Sequence, residues 1–291
     1  MAFESIKELL AASEAQKLPL WEAILNGDLQ ERGSRREDSL RAMRELWHSM
    51  RAAGEAYEGS LRSASGLSGG DGAKMDRFLQ NGSPIGGSFL GEVIAQALKM
   101  GESNACMKRI VAAPTAGSCG VLPAVLISVA RRDGYSEEEI LHALYVAAGF
   151  GQVIATRATI AGAEGGCQAE VGAASAMAAA ALVTLRGGTP SMCAHACAMA
   201  LKNLMGLACD PVAGLVEVPC VKRNVVGAVN AISSADMALA GIESRIPPDE
   251  VIDAMRSVGN MLPAALRETA GGGLAATPTA QAFAQALRER E

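Results

Sequence analysis

Aromatic residues are scarce in this sequence of 291 residues, where phenylalanine, tyrosine and tryptophan together make up only 3%. β-Sandwiches draw on aromatic and β-branched residues, so this composition disfavours them. Hydrophobic residues still make up 49%, and the core must therefore be built from alanine, leucine, valine and methionine. Such side chains suit closely packed helices. With no alternation of strands and helices and no fixed-period repeat, the sequence predicts an all-α helical bundle.

Basic clusters and long apolar runs are also missing. The formal net charge is −5, and no lysine–arginine stripe interleaves with aromatic residues, so nucleic-acid binding has no support. The opening residues MAFESIKELL lack the layout of a signal peptide. The most apolar stretch, Ala173 to Leu185, is too short and too rich in alanine to span a bilayer. We therefore expect a cytoplasmic protein that binds neither nucleic acid nor membranes.

No two of the seven cysteines form a C-x-x-C pair, which excludes the ferredoxin, zinc-ribbon and thioredoxin patterns. We expect the cysteines to be reduced, as cytoplasmic thiols usually are. Cys193 and Cys197 form C-x-x-x-C, but position 200 is alanine where a radical-type motif has its third cysteine. Because they share one helix face, we interpret them as core residues or as packing beside a cluster. A phosphate-binding G-x-x-x-x-G-K-[ST] loop is absent too.

The composition changes near Gly59 and divides the chain into a helical segment, 1–57, packed on the core, and a main domain, 58–291. The first part predicts helices over Ser5–Ala12 and Asp38–Tyr57, with a polar loop over 27–38. Gly/Ser-rich stretches at 58–74 and 80–89 are either flexible linkers or loops whose backbone N–H groups bind an anion. Further helices are predicted over 85–104, 119–132, 136–157, 170–186, 190–206, 225–243 and 248–257.

Chemistry-bearing residues concentrate in the Gly/Pro-rich breaks between these helices, where we expect the active site. The segment PTAGSCG, residues 114–120, precedes an apolar helix and is either an ordinary helix cap or a carboxylate site. Cys167 follows two glycines, Cys209 stands at a helix end, and Cys220 follows a proline. Each thiol alone is either a small buried hydrophobe or a ligand.

Four ordered segments between about residues 60 and 282 resemble the α subunit of iron–sulfur-dependent L-serine dehydratases: PTAGSCGVLPA, AEGGCQAEVGAASAMAA, GLACDPVAGLVEVPCVKRN and LRETAGGGLAATPT. The resemblance implies that Cys167, Cys209 and Cys220, separated by 42 and 11 positions, hold a [4Fe–4S] cluster whose fourth iron is open to substrate. It further implies that substrate contacts come from Ser68, Gly69, Gly70, Asp71, Thr115, Ser118 and Asn224, with Arg223 beside them.

The same resemblance implies an L-serine ammonia-lyase that forms pyruvate and ammonia. The general base stays unassigned, because His48, His142 and His195 lie in no convincing catalytic segment. The resemblance implies that a separate β domain supplies a histidine near the substrate. A β chain is therefore the expected partner. The end of the chain, ALRERE, also lacks the cysteine with which some fused members cap the open iron. Two alternatives stay open: a related lyase of L-cysteine or another β-substituted amino acid, and a non-catalytic iron–sulfur sensor.

Overall fold

The computed structural model describes residues 3–289, and its regular structure over that range is helical, apart from one isolated bridge between Cys209 and Arg267. The all-α prediction is therefore confirmed. The α-helices are α1 (Ile6–Gln16), α2 (Leu20–Arg32), α3 (Arg36–Glu55), α4 (Asp71–Asn81), α5 (Gly87–Ala105), α6 (Val121–Asp133), α7 (Glu137–Arg157), α8 (Gly162–Gly165), α9 (Ala173–Leu185), α10 (Pro190–Leu204), α11 (Cys220–Leu239), α12 (Pro248–Met261) and α13 (Pro278–Arg288).

Helix α9 is the centre of the bundle. All side chains from Ala173 to Val183 are buried, and α6, α7, α10 and α11 pack around the helix. The alanines among them let the surrounding helices come close, because interaxial distance depends on the side chains at the contact. The core is thus built as the composition predicted, from small and aliphatic residues with few aromatic rings.

The first three helices pack on the outside of this bundle. Helix α2 lies against α7, and Ile6, Leu9 and Ile24 belong to the same hydrophobic core as the central helices. The division of the chain into an N-terminal segment, 1–57, packed on the core and a main domain, 58–291, stays a prediction. The prediction of a polar loop over 27–38 is wrong for most of that range, because α2 continues to Arg32 and α3 begins at Arg36. Its buried Leu20, Ile24 and Leu25 hold the helix in place while its polar residues face outward.

Two apolar helical spans, Glu137–Arg157 and Gln168–Leu185, have the length and hydropathy of a membrane helix. Most of each span is buried inside this fold, 67% and 83% of the respective apolar windows. The second span is longer than the predicted stretch because a π-helical turn, Gln168–Gly172, runs directly into α9. Core helices of soluble proteins share these properties, and both spans form part of the core here.

Local signals in the sequence explain several helix ends. Ser136 and Glu139 form the predicted capping box at the start of α7, each side chain bonding the other's backbone. Helix α11 begins at Cys220, earlier than predicted, and α4 and α13 were not predicted. Helix α13 nevertheless begins with a Thr277 cap and Pro278, a common pair of start signals.

Candidate functional site

Cys167 and Cys209 lie between helices, and Cys220 lies at a helix start. Cys167 precedes the π-helical turn that leads into α9, Cys209 lies in the segment after α10, and Cys220 is the first residue of α11. All three are buried, with 3%, 3% and 8% of their surface exposed. They are also close enough that the charges of Cys167 and Cys220 add to the effect of burial in raising the pKa of Cys209. The fold therefore brings together thiols from three separate segments.

Hydrogen bonds and an ion pair hold these segments together. The Gln168 N–H donates to the Leu207 carbonyl at 3.0 Å, and the Gly206 N–H donates to Gln168 Oε1 at 2.8 Å. From α11, Arg223 donates to the Ala208 carbonyl at 2.6 Å and places Nη2 2.8 Å from Asp210 Oδ1. This ion pair is largely buried, so removing either partner would leave an unbalanced charge inside the protein.

The segment after α12 completes the enclosure of Cys209. The Cys209 N–H donates to the Leu266 carbonyl and the Glu268 N–H donates to the Cys209 carbonyl, both at 2.8 Å. Farther along, the Leu274 N–H donates to Asp210 Oδ2 at 2.8 Å. The Gly-rich run of residues 271–273 therefore lies beside Asp210, where an added Cβ at Gly273 would meet the Asp210 carboxylate at 2.3 Å.

The three thiols are donors of the kind that bind a [4Fe–4S] cluster. No group of three His, Cys, Asp or Glu side chains among residues 3–289 is arranged to hold one metal ion. A [4Fe–4S] cluster uses cysteines differently, because each thiolate binds a separate iron. Burial raises the pKa of Cys167 to about 11 and that of Cys220 to about 12. Thiols in such surroundings become thiolates when a metal binds them, so the donor set fits an iron–sulfur cluster.

Glu170 brings a carboxylate to the same place. It lies on the π-helical turn after Cys167, and its Oε1 accepts a 2.7 Å hydrogen bond from Thr115 Oγ1. Burial raises the pKa of this carboxyl, with a further contribution from Glu268. An added Cβ at Gly162 would lie 2.7 Å from Glu170 Oε2 and 3.2 Å from Cys209 Sγ. The carboxylate and the Cys209 thiol therefore border the same small space. Sequence reasoning missed Glu170, although it lies within the quoted segment AEGGCQAE.

The predicted substrate residues of the PTAGSCG loop face this carboxylate or hold the loop in shape. Thr115 bonds Glu170, whereas Ser118 is fully buried and lies 3.0 Å from the Thr115 hydroxyl. Asn224 accepts a hydrogen bond from the Gly120 N–H and donates to the carbonyls of Gly117 and Cys220, at 2.8, 2.9 and 2.9 Å. The loop and the first turn of α11 are thus joined through one amide side chain.

The predicted anion loop around Ser68–Asp71 binds carboxylates of the chain itself. Glu217 accepts hydrogen bonds from the hydroxyls of Ser63, at 2.6 Å, and Ser65, at 2.9 Å. The Ser68 N–H in turn donates to Ser63 Oγ at 3.2 Å. Residues 61–70 are therefore folded onto the segment that precedes Cys220, which overturns the linker alternative.

Gly69 and Gly70 both have positive φ, and the two N–H groups that follow them, those of Asp71 and Gly72, also bind a carboxylate of the chain. Glu102 accepts from the Asp71 N–H at 2.7 Å, from the Gly72 N–H at 3.2 Å and from the Tyr57 hydroxyl at 2.6 Å. The Asp71 carboxylate binds Lys222 of α11 at 2.7 Å. The sequence pattern did indicate anion-binding N–H groups, but it could not tell that a buried glutamate of the same chain occupies them.

The other cysteines and the histidines lie elsewhere. Cys193 and Cys197 are buried in the core on α10, and the Cys119 thiol faces the Met100 carbonyl. His195 accepts a hydrogen bond from the Ser244 N–H and His142 stacks on Trp21. His48 pairs with Glu137 on the surface. None of the three histidines of this chain therefore contacts the thiol site.

Comparison with known proteins gives a consistent result over nearly the whole chain. A family model described as "Serine dehydratase alpha chain" matches residues 15–275. "Probable L-serine dehydratase, alpha chain" of Bacillus subtilis is 46% identical over 294 residues, covering 99% of this chain and 98% of that protein. A protein of the same name from Latilactobacillus sakei is 58% identical over 188 residues, covering 65% of this chain and 90% of that protein. "L-serine dehydratase 1" of Escherichia coli is 45% identical over 184 residues, or 62% of this chain and 40% of that longer protein.

Proposed function

This chain belongs to the serine dehydratase alpha chain family, and on that premise we propose that it is the catalytic subunit of an L-serine ammonia-lyase whose [4Fe–4S] cluster is held by Cys167, Cys209 and Cys220. Its relatives carry the name L-serine dehydratase, and the chain is accordingly an enzyme of that class. The convergence of three buried thiols from separate segments is the observation that carries the proposal for the cluster.

With three cysteine ligands, such a cluster supplies a Lewis-acidic iron that has an open coordination position and activates the serine hydroxyl as a leaving group. The chain's own residues then prepare the surroundings. Burial of the thiols and of the Arg223–Asp210 ion pair keeps water away from the ligands. The Thr115 hydroxyl and the Glu170 carboxylate provide the nearby polar groups that orient a bound amino acid.

The reaction removes the Cα proton and the β-hydroxyl of L-serine as water. The resulting enamine hydrolyses to pyruvate and ammonia, which balances the atoms of serine without an added oxidant or reductant. The predicted contacts from Ser68, Gly69, Gly70, Asp71, Thr115, Ser118 and Asn224 stay proposals. Of these, Thr115 has the best support because its hydroxyl directly bonds Glu170.

A partner chain supplies the general base in this proposal. The three histidines of this chain make their contacts away from the thiols. The matching region covers only 40% of the E. coli relative, so most of that protein lies outside the match. The relatives named alpha chain also imply a second chain. We therefore propose a cytoplasmic α/β enzyme in which β places a base beside the α-chain site.

The test is anaerobic reconstitution of the purified chain with iron and sulfide, with and without the β chain. Formation of the 2-oxo acid would be compared, as pyruvate from L-serine and L-cysteine and as 2-oxobutanoate from L-threonine, and electron paramagnetic resonance recorded before and after adding L-serine. We expect a serine-dependent change in the spectrum and rapid turnover of serine only when β is present.

Full activity of the α chain alone would contradict the partner assignment. Preference for L-cysteine would contradict the substrate assignment. A reconstituted α/β complex with a cluster but no pyruvate from serine would contradict the proposed function as a whole.

A further inference from the structure

Glu170 stands out among the buried and half-buried glutamates of the site because it has a single hydrogen-bond donor and no cation, whereas Glu217 and Glu102 accept hydrogen bonds from two and three donors. Among residues 3–289, no lysine, arginine or histidine lies within ion-pair distance of its carboxylate, and its hydrogen-bond donor is the neutral Thr115 hydroxyl at 2.7 Å. Asp210, a neighbour in the same site, is balanced by Arg223 at 2.8 Å. A half-buried carboxylate without a counter-charge is costly to keep, which points to a use in binding a positive group.

Two glycines lie against the Glu170 carboxylate and let the backbone approach it closely. A Cβ added at Gly117 would lie 2.8 Å from Glu170 Oε1, and one added at Gly162 would lie 2.7 Å from Oε2. The Gly162 position also faces the Cys209 thiol, at 3.2 Å from the added Cβ. The Oε2 side of the carboxylate is therefore the side next to Cys209, and Oε2 accepts no hydrogen bond from residues 3–289.

We propose that Glu170 binds the α-ammonium group of the amino-acid substrate and so determines selectivity for amino acids over hydroxy acids. This inference rests on the proposed function, because it takes L-serine as the substrate. L-Serine carries one cationic group, its ammonium, and among residues 3–289 the Glu170 carboxylate has neither a cation nor a second hydrogen-bond donor. Thr115 holds one oxygen of Glu170 and leaves Oε2 free to accept the ammonium.

Geometry also separates this role from that of the site's other carboxylates. Glu217 and Glu102 are already bonded by hydroxyl and backbone donors, so neither has a free side for a ligand. Glu268 is exposed and acts on Glu170 only through its charge. Glu170 combines a neutral anchoring bond, an Oε2 atom without a hydrogen-bond donor among residues 3–289, and proximity to the Cys209 thiol.

The experiment compares two ligands that differ in the ammonium group. The KM and kcat of the reconstituted α/β enzyme would be measured with L-serine, together with the inhibition constant of 3-hydroxypropanoate, which keeps the hydroxyl and carboxylate of serine but has hydrogen in place of the ammonium. The variant is Glu170→Gln, which keeps an oxygen for Thr115. The matched control is Glu268→Gln. Iron and sulfide content would be measured for every protein.

We expect Glu170→Gln to raise KM for L-serine by at least about 30-fold, because loss of a charged partner weakens binding, with the inhibition constant of 3-hydroxypropanoate and cluster content unchanged. Glu268→Gln should change neither constant by a comparable factor. Equal weakening of both ligands would overturn the inference in favour of a structural role. Lost kcat with unchanged KM for serine would overturn it in favour of proton transfer. In both cases wild-type enzyme would still form pyruvate from serine, which distinguishes these outcomes from failure of the proposed function.

Discussion

The loop of residues 61–72 and the pocket around Glu170 both place glutamate carboxylates near the start of α11, yet they use them differently. In the loop, Glu217 and Glu102 each accept hydrogen bonds from two or three donors of the chain. In the pocket, Glu170 has one neutral donor and an open oxygen. The first arrangement stabilises the fold, whereas the second leaves a charge available to a ligand.

This difference shows why a motif rich in glycine and serine is ambiguous. Backbone N–H groups freed by glycine bind an anion wherever they occur, but the anion can be a side chain of the same protein. The loop, whose carboxylate partners are fully hydrogen-bonded, then positions α11 and its Cys220. Chemistry is expected at Glu170, whose carboxylate has only one donor. Four experiments test this division between scaffold and site.

The largest effect is expected from the thiols. Cys209→Ala should abolish the cluster and lower serine turnover by at least about 100-fold, because one iron loses its protein ligand. Iron and sulfide content and the visible absorption after anaerobic reconstitution measure the first effect. The control is Cys106→Ala, at the end of α5 and outside the thiol set. A Cys209→Ala protein with a full complement of iron would refute the ligand assignment.

The next effect concerns stability. Glu102→Ala should lower the free energy of unfolding by about 3 kcal/mol, because it leaves the N–H groups of Asp71 and Gly72 and the Tyr57 hydroxyl without their acceptor. Glu170→Ala should cost under about 1 kcal/mol, since only Thr115 loses a partner and Ser118 remains beside it. Urea unfolding of both variants measures the difference. Equal losses would remove the distinction between scaffold and site.

A smaller effect, on KM for L-serine, is expected when a methyl group is added beside Glu170. Gly162→Ala adds a methyl group 2.7 Å from Glu170 Oε2, so the carboxylate must move. We expect KM for L-serine to rise about tenfold, since displaced binding groups lose part of their alignment. Gly172→Ala is the matched control, because its added Cβ would meet neighbours only at 3.9 Å. Similar kinetics for the two variants would show that the pocket does not need this space.

The smallest effect concerns pH and the loop. Hydrogen bonds from Lys222 and Lys74 hold the pKa of Asp71 below its ordinary value. The two ion pairs of Asp71 therefore stabilise the protein at neutral pH. This contribution is lost as the pH falls through the ordinary pKa of aspartate toward the lowered pKa of Asp71. Because all three side chains are partly exposed, we expect under about 1 kcal/mol. Asp71→Asn should flatten the acid side of the stability–pH curve, and an unchanged curve would contradict this.

Much of the fold could be predicted from composition and helix signals. The scarcity of aromatic residues predicted the helical class, and Ser136 with Glu139 predicted the start of α7. Helix α4 could not be predicted, because its stability comes from Glu102, a residue of α5 that bonds its first turn. Helix α2 was not predicted because the polar residues of its exposed face interrupt the helical periodicity of apolar residues such as Leu20 and Ile24.

The site could be predicted only where its residues lie in segments with local sequence signals. The thiols stand out because they lie beside glycine and proline in local segments. Glu170 does not stand out, since its environment is made by Thr115 and Gly162, which lie far from each other in sequence. A carboxylate without a cation can be recognised only when the neighbouring charges have been placed in space.

Asn224 has a consequence for how this family can vary. Its amide accepts one hydrogen bond from the PTAGSCG loop and donates two, one to that loop and one to the Cys220 carbonyl. An aspartate offers no donor for the two carbonyls and a leucine offers neither donor nor acceptor. The loop of residues 114–120 and the first turn of α11 therefore depend on one side chain, and a chimera that exchanges either segment between relatives should fold well only if it keeps an asparagine at position 224.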